Sequence, residues 1–325
     1  MNSTAQPLLR VRQLSKRFPL QGGLLRRVVG HVNAVDGVSF DVNRGETLGL
    51  VGESGCGKST VGRTILKLHE PTEGTIELLG RDITSLSRRE MRPFRKQLQI
   101  VFQDPFSSLN PRMKAGDIVG EPLSIHKIAP GREQRRLVAE VFERVGLRPD
   151  QMDRFPHEFS GGQRQRLSIA SALIVRPQII VADEPVSALD VSIQASIVNL
   201  MIRLQQEMGL SFLFISHDMS VIEHISHRVA VMYLGRIVEI ADRPELFASP
   251  QHPYTEALLS AVPVPNPAAA RKKRIILKGE IPSPITPPKG CHFHTRCPIA
   301  TDRCRVESPA LREIRPAHWA ACHLR

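Results

Sequence analysis

Apolar and polar positions change rhythm three times along this chain. Leu8 to Phe18 alternate, as do Ala34 to Val42, and both stretches predict strands, the first an edge strand. A basic, glycine-bearing loop, Gln21 to His31, is expected between them. Short apolar runs follow at Thr47 to Val51, Gly74 to Gly80 and Gln99 to Phe102. From about Asp104 to about Ala172 the pattern turns helical and polar. Leu137, Val138, Val141, Phe142 and Val145 there share one helix face, which Gly146 closes. After a helix from Gln165 to Val175, strand-like runs return at Ile179–Ala182, Phe212–Ile215, Val229–Tyr233 and Arg236–Ile240. Near-continuous apolar strands separated by helices predict an α/β fold with a parallel sheet covered on both faces. The proline run from Pro263 to Pro267 breaks the pattern, and a domain boundary is expected there.

The run Thr47 to Val51 leads straight into Gly52-Glu53-Ser54-Gly55-Cys56-Gly57-Lys58-Ser59-Thr60, and a helix can continue from Val61. Strand, glycine loop and helix is the setting in which G-x-x-x-x-G-K-[ST] denotes a phosphate-binding P-loop. Glycines let the backbone bend and aim N–H groups at an anion, and the helix adds its positive end. Lys58 is expected to reach the β- and γ-phosphates, and the Ser59 hydroxyl to hold Mg²⁺.

Other stretches narrow this reading from any nucleoside phosphate. The apolar strand Ile179–Ala182 ends in Asp183 and Glu184, the place for a Mg²⁺ ligand followed by the residue that polarises the attacking water. Ser160-Gly161-Gly162-Gln163 is a second glycine turn opening a helix, hence a second anion site. Two half-sites on one chain suggest that each is completed by another molecule. Gln103 ends a strand where its amide can touch Mg²⁺ and water, and His217, in Ser216-His217-Asp218, is placed to contact a γ-phosphate. Ser187 to Asp190 come directly after the strand that ends in Asp183 and Glu184, where a partner subunit is expected.

Composition adds a compartment and a charge. No apolar stretch approaches the ~20 residues of a membrane span, and Met1 to Arg12 lack an apolar core, so a soluble cytoplasmic chain is expected. The formal net charge of +12, spread over Arg26 and Arg27, Arg88 to Lys96, Arg132 to Arg136 and Arg271 to Arg274, suits nucleic acid or an anionic membrane surface. Two Tyr and one Trp leave little for base stacking, so nucleic acid is not the expected partner. Cys56 stands alone in the P-loop, whereas Cys291, Cys297, Cys304 and Cys322 crowd the end of the chain. Without an export signal, such clustering favours a metal or cluster over disulfides; Zn²⁺ and [4Fe–4S] both suit four thiolates.

Over residues 8–262 the chain resembles the ATP-binding subunits of ABC transporters, with every sequence block of that family present. The resemblance implies a P-loop cassette with a parallel-sheet core, an antiparallel β edge subdomain and a helical subdomain over about residues 104–172, followed by a Cys-rich extension, 263–325. It implies ATP and Mg²⁺ as cofactors, Ser59, Gln103 and Asp183 as Mg²⁺ ligands, and Glu184, His217, Gln103 and Lys58 as catalytic residues. Phe18 is the best match for the aromatic residue that stacks on adenine, where Tyr is more usual. Two subunits would pack head to tail, Gly52–Thr60 of one facing Ser160–Gln163 of the other.

Gln103 to Arg112, His252 to Leu259, Gly279 to Pro284, Pro287 to Cys291 and Arg296-Cys297-Pro298 are similar to the oligopeptide/dipeptide branch of importers, most of all to the second of its two ATPase subunits. That branch implies a paralogous ATPase, two membrane-spanning permease subunits and, indirectly, an extracytoplasmic peptide-binding protein, with this chain peripheral on the cytoplasmic face of the inner membrane. It also tilts the four cysteines toward an iron–sulfur cluster, with Zn²⁺ or no metal as alternatives. A nucleic-acid ATPase, an exporter subunit and a regulatory ATP sensor are the rival classes. One cassette without sustained heptads, the peptide-importer tail, and the presence of Glu184 and the Ser160–Gln163 turn argue against them in turn.

Overall fold

The computed structural model describes residues 6–22, 27–104, 108–262 and 275–325. Arg26, Pro105 to Ser107, the proline run Pro263 to Pro267 and the basic run Arg271 to Arg274 lie outside the described residues. The chain divides into two compact units: residues 1–42, 47–85 and 216–325 form one, residues 43–46 and 86–215 the other.

The first unit holds an antiparallel sheet in the order β2 (Arg27–Val42), β1 (Leu9–Gly22), β4 (Glu73–Leu78), β5 (Arg81–Asp82). Leu9, Val11, Leu14 and Val42 are buried. Two expectations are corrected here. The first strand is not an edge, because it pairs with β2 on one side and β4 on the other; local alternation carries no sign of the second partner. The expected loop from Gln21 to His31 is largely ladder, with Gln21 opposite Val28 and Gly22 opposite Arg27. Val28, Val29 and Val32 favour extended backbone, and the basic residues stay solvated on that outer strand.

The same unit carries β3 (Thr47–Val51), parallel to β9 (Arg228–Tyr233), and β10 (Arg236–Asp242), antiparallel to β9. Every residue of β3 is buried, which its unbroken apolar run requires. β12 (His318–Ala320) extends this arrangement antiparallel to β10, and β11 (Arg312–Arg315) pairs with β12. The end of the chain is thus tied by strand pairing. At the join, the Glu239 carboxylate is fully buried, accepts the N–H groups of Gln251 and His252, and meets His318 Nε2 at 2.7 Å.

In the second unit β6 (Leu98–Val101), β7 (Ile179–Asp183) and β8 (Ser211–Ser216) run parallel in that order. The helices α2 (Ala115–Ile125), α3 (Gly131–Arg144), α4 (Gly161–Leu173) and α5 (Val191–Met208) accompany them. α3 buries Val138 and Phe142, as its periodicity predicts, and Gly146 ends it at φ +77°. Among the described residues no helix is long and apolar enough to cross a membrane.

His252 provides a test of this packing. Its Nδ1 accepts the Tyr254 N–H at the start of the helix Pro253–Ser260. Burial pushes the imidazole down to about 4, with Glu239 partly opposing. The folded value lies below that of free histidine, about 6.5, so the unfolded chain binds the proton first on acidification. The His252 contribution is intact above about pH 6.5 and is lost as pH falls toward 4, a change on the order of 3 kcal/mol. His252→Asn keeps a capping acceptor without the titration. Denaturant unfolding at a series of pH values should show a shallower acid loss for the variant; equal slopes would contradict the assignment.

Candidate active site

Residues 52–60 join the buried β3 to the helix α1 (Lys58–Ile65). Two of their glycines are sterically required. A Cβ on Gly52 would lie 2.1 Å from the Met232 carbonyl oxygen, and one on Gly57, at φ +106°, would lie 2.0 Å from that of Ala34. Main chain therefore packs on the back of the loop where any side chain would push it open. The first bond into α1 runs from Val61 N–H to Gly57 O, and the N–H groups ahead of it are those a helix leaves for an anion. Lys58 is buried and folds back, its ammonium donating to Gly52 O at 2.8 Å and Glu53 O at 3.0 Å. Burial raises the Cys56 thiol, with Lys58 opposing. A cradle of main-chain donors, a lysine and the Ser59 hydroxyl fits a nucleoside polyphosphate with its magnesium ion.

The loop is also held from outside by residues far along the chain. Gly235 N–H donates to Cys56 O, and Glu53 N–H donates to Tyr254 Oη at 2.8 Å. The Glu53 carboxylate takes two hydrogen bonds from Arg296, Nη1 to Oε2 at 2.7 Å and Nη2 to Oε1 at 3.0 Å. Sequence reasoning missed both partners. Tyr254 and Arg296 belong to stretches that mark the importer branch, and no local pattern ties them to Glu53.

In the second unit β7 ends on buried Asp183, and Glu184 follows, also buried. Glu184 has φ +48°, a left-handed conformation that costs a residue with a side chain about 1–2 kcal/mol. Its N–H is anchored on Ile215 O, and its own carbonyl accepts the Ser187 hydroxyl. Gln103 Nε2 donates to Glu184 Oε2 at 3.2 Å, so two of the predicted catalytic residues are in contact. Strand-end strain of this kind is invisible in sequence.

Ser160 caps α4 through a reciprocal capping box: Gln163 N–H donates to Ser160 Oγ and Ser160 N–H donates to Gln163 Oε1. The turn is close-packed, since a Cβ on Gly162 would meet Ile193 at 2.6 Å, and Leu189 lies within reach of Gly161. Beside it Ala188, Val191 and Ile193 are exposed, Val191 at 82 %. An apolar, solvent-facing rim around an anion turn suits a protein partner.

In the first unit His217 is exposed between Ser216, whose hydroxyl accepts the Asp218 N–H, and Asp218, which caps the next helix, Met219–Ile225. Phe18 is half-buried; the Lys16 ammonium sits over its ring at 4.9 Å and His69 meets it edge-on.

Near the chain end Cys291 N–H donates to Cys304 O. Burial raises the Cys291 thiol to about 11, and the other three cysteines push it the same way. Cys297 and Cys322 are raised for the same first reason and also sense their neighbours. The four thiols are therefore one neighbourhood in which thiolates repel one another, a donor set that a soft cation would relieve. Among the described residues, however, no three His, Cys, Asp or Glu side chains stand at metal-holding geometry.

Known proteins share this architecture. The ABC transporter family matches residues 35–187, and the oligopeptide/dipeptide transporter C-terminal region matches residues 238–304. The oligopeptide transport ATP-binding protein AppF of Bacillus subtilis is 55% identical over 321 residues, covering 98% of both chains. The probable peptide ABC transporter ATP-binding protein y4tS of Sinorhizobium fredii is 53% identical, covering 98% of this chain and 90% of its own. Among solved structures, a dimeric post-hydrolysis ATP-binding cassette bound to ADP and Pi aligns over 72% of this chain and 98% of its own, with TM-score 0.64 and 27% identity. A P-loop built as described, on a chain so similar to such relatives over nearly its whole length, places this protein in the family: it is an ATP-hydrolysing, ATP-binding subunit of the ABC transporters, of the oligopeptide/dipeptide type.

Proposed function

We propose that this chain powers import of di- and oligopeptides from the cytoplasmic face of the inner membrane, as one of two paralogous ATPases beneath two membrane-spanning chains. An extracytoplasmic peptide-binding protein would act through those chains. The observation that carries this reading is the match of residues 238–304 to the oligopeptide/dipeptide transporter C-terminal region, on top of the cassette match. Residues 1–262 would be the cassette, with its helical part over about 104–172, and 263–325 an extension built onto it.

Within the cassette Gly52 to Thr60 would cradle the phosphates, with Lys58 on the β- and γ-phosphates and Phe18 against adenine. Ser59, Gln103 and Asp183 would hold Mg²⁺, whose charge neutralises the phosphate oxygens. Glu184 would take the proton from the attacking water, and its hydrogen bond from Gln103 would orient the carboxylate toward that task. The strained Glu184 backbone supports the assignment, since such conformations cluster where function demands them. His217 would contact the γ-phosphate. Ser160 to Gln163 would face the partner's nucleotide, and the exposed Val191 rim supports a partner there. ATP can close such a dimer only by binding the closed state better than the open one.

Cys291, Cys297, Cys304 and Cys322 would carry a [4Fe–4S] cluster in a structural role, with Zn²⁺ or no metal the alternatives.

Glu184→Gln should bind ATP at near wild-type affinity, accumulate as closed dimer and hydrolyse on the order of a hundredfold more slowly. Lys58→Ala should lose nucleotide affinity itself. Wild-type turnover in the first variant would remove Glu184 from its role; unchanged affinity in the second would undo the P-loop assignment. Separately, the chain expressed with its neighbouring genes and purified anaerobically from solubilised membranes should bring two membrane-spanning chains and a second ATPase. Iron and sulfide should accompany it in stoichiometric amount. Zinc in their place would decide the metal against iron, and ribosomes or DNA in place of permeases would overturn the import reading.

A further inference from the structure

The mechanism above makes no use of the two hydrogen bonds between Glu53 and Arg296. Glu53 is the second residue of the P-loop, and Arg296 lies 243 positions later, directly before Cys297. The pair is bidentate, the arrangement that gives an arginine–carboxylate contact its directionality. It is also sheltered: the Arg296 side chain is 7% exposed and that of Glu53 25%. The guanidinium rests over the Tyr233 ring at 5.9 Å. Tyr233 in turn packs against Tyr254, which takes the Glu53 N–H on its hydroxyl. Main chain and side chain of Glu53 are thus both fixed by residues outside the loop.

Charge makes this more than a fastening. Lys58 donates to the Glu53 carbonyl at 3.0 Å, so the residue bearing the Glu53 carboxylate is within reach of the ammonium that must meet the phosphates. An uncompensated carboxylate at that place would repel an incoming polyphosphate and compete for Lys58. A bidentate guanidinium neutralises it and fixes its orientation.

We propose that Arg296 is a positioning residue for the P-loop: from the cysteine-bearing extension it neutralises and orients Glu53, so that ATP affinity depends on the extension being docked. The inference rests on the ATP-binding reading of residues 52–60 and extends it to a segment outside the cassette.

The test is Mg·ATP affinity of the full-length chain by titration calorimetry, with kcat and KM measured alongside. Arg296→Ala should weaken binding about tenfold and raise KM while kcat at saturation changes by less than about threefold. Arg296→Lys, which keeps the charge but loses the fork, should fall between the two. In a Glu53→Gln background the same Arg296→Ala change should cost about twofold or less, because no carboxylate is left to neutralise. Equal losses in both backgrounds would mean that Arg296 does not act through the Glu53 carboxylate, and the proposal fails. Unchanged affinity in Arg296→Ala, with Lys58→Ala still abolishing binding, overturns the proposal while leaving the ATP site intact. Unchanged affinity in both would bring down the ATP reading itself.

Discussion

An anion site made of main-chain N–H groups works only while the backbone that aims them cannot relax. In residues 52–60 that rigidity comes from contact at the back of the loop. The carbonyls of Met232 and Ala34 lie where a Cβ on Gly52 or Gly57 would stand, Gly235 holds Cys56 O, and Tyr254 holds the Glu53 N–H. Met232 and Gly235 flank the hairpin of β9 and β10, and β10 is the strand on which the end of the chain is laid. The loop, the hairpin and the C-terminal extension of the first unit therefore form one mechanical series. Buried Glu239 is its clasp, because the Gln251 and His252 N–H groups and the His318 imidazole would lose a partner without it.

Hydrolysis asks for a different kind of constraint. Glu184 sits one residue beyond a fully buried strand, in a backbone conformation it would not choose alone, with its carboxylate touched by Gln103. Strand pairing and the anchored N–H over-determine that conformation, which is how such strain survives. Ser160 to Gln163 show the opposite economy: an ordinary capping box sets the turn, and an exposed apolar rim lies beside it.

Much of this was legible in the chain. Unbroken apolar runs located β3, β7 and β8 because strands buried on both faces have no polar side to betray. The 3.6-residue rhythm located α3 and its closing glycine. Glycine spacing located the P-loop because its motif is local, even though the Met232 and Ala34 carbonyls that require Gly52 and Gly57 are not. What stayed hidden were long-range pairings: the second partner of β1, the pairing of Gln21 with Val28, and the addition of β12, with β11 beside it, to β10. Arg296 is the clearest case, since a salt bridge across 243 positions leaves no periodic trace.

The central claim is that ATP turnover here is spent on moving peptides. Vesicles reconstituted with this chain, its companion ATPase, the two permease chains and the binding protein would be given ATP and a labelled short peptide. Peptide should accumulate on the ATPase side, hydrolysis should rise with peptide-loaded binding protein, and Glu184→Gln should stop both. Hydrolysis that proceeds at one rate with or without peptide, and with no accumulation, would contradict the account.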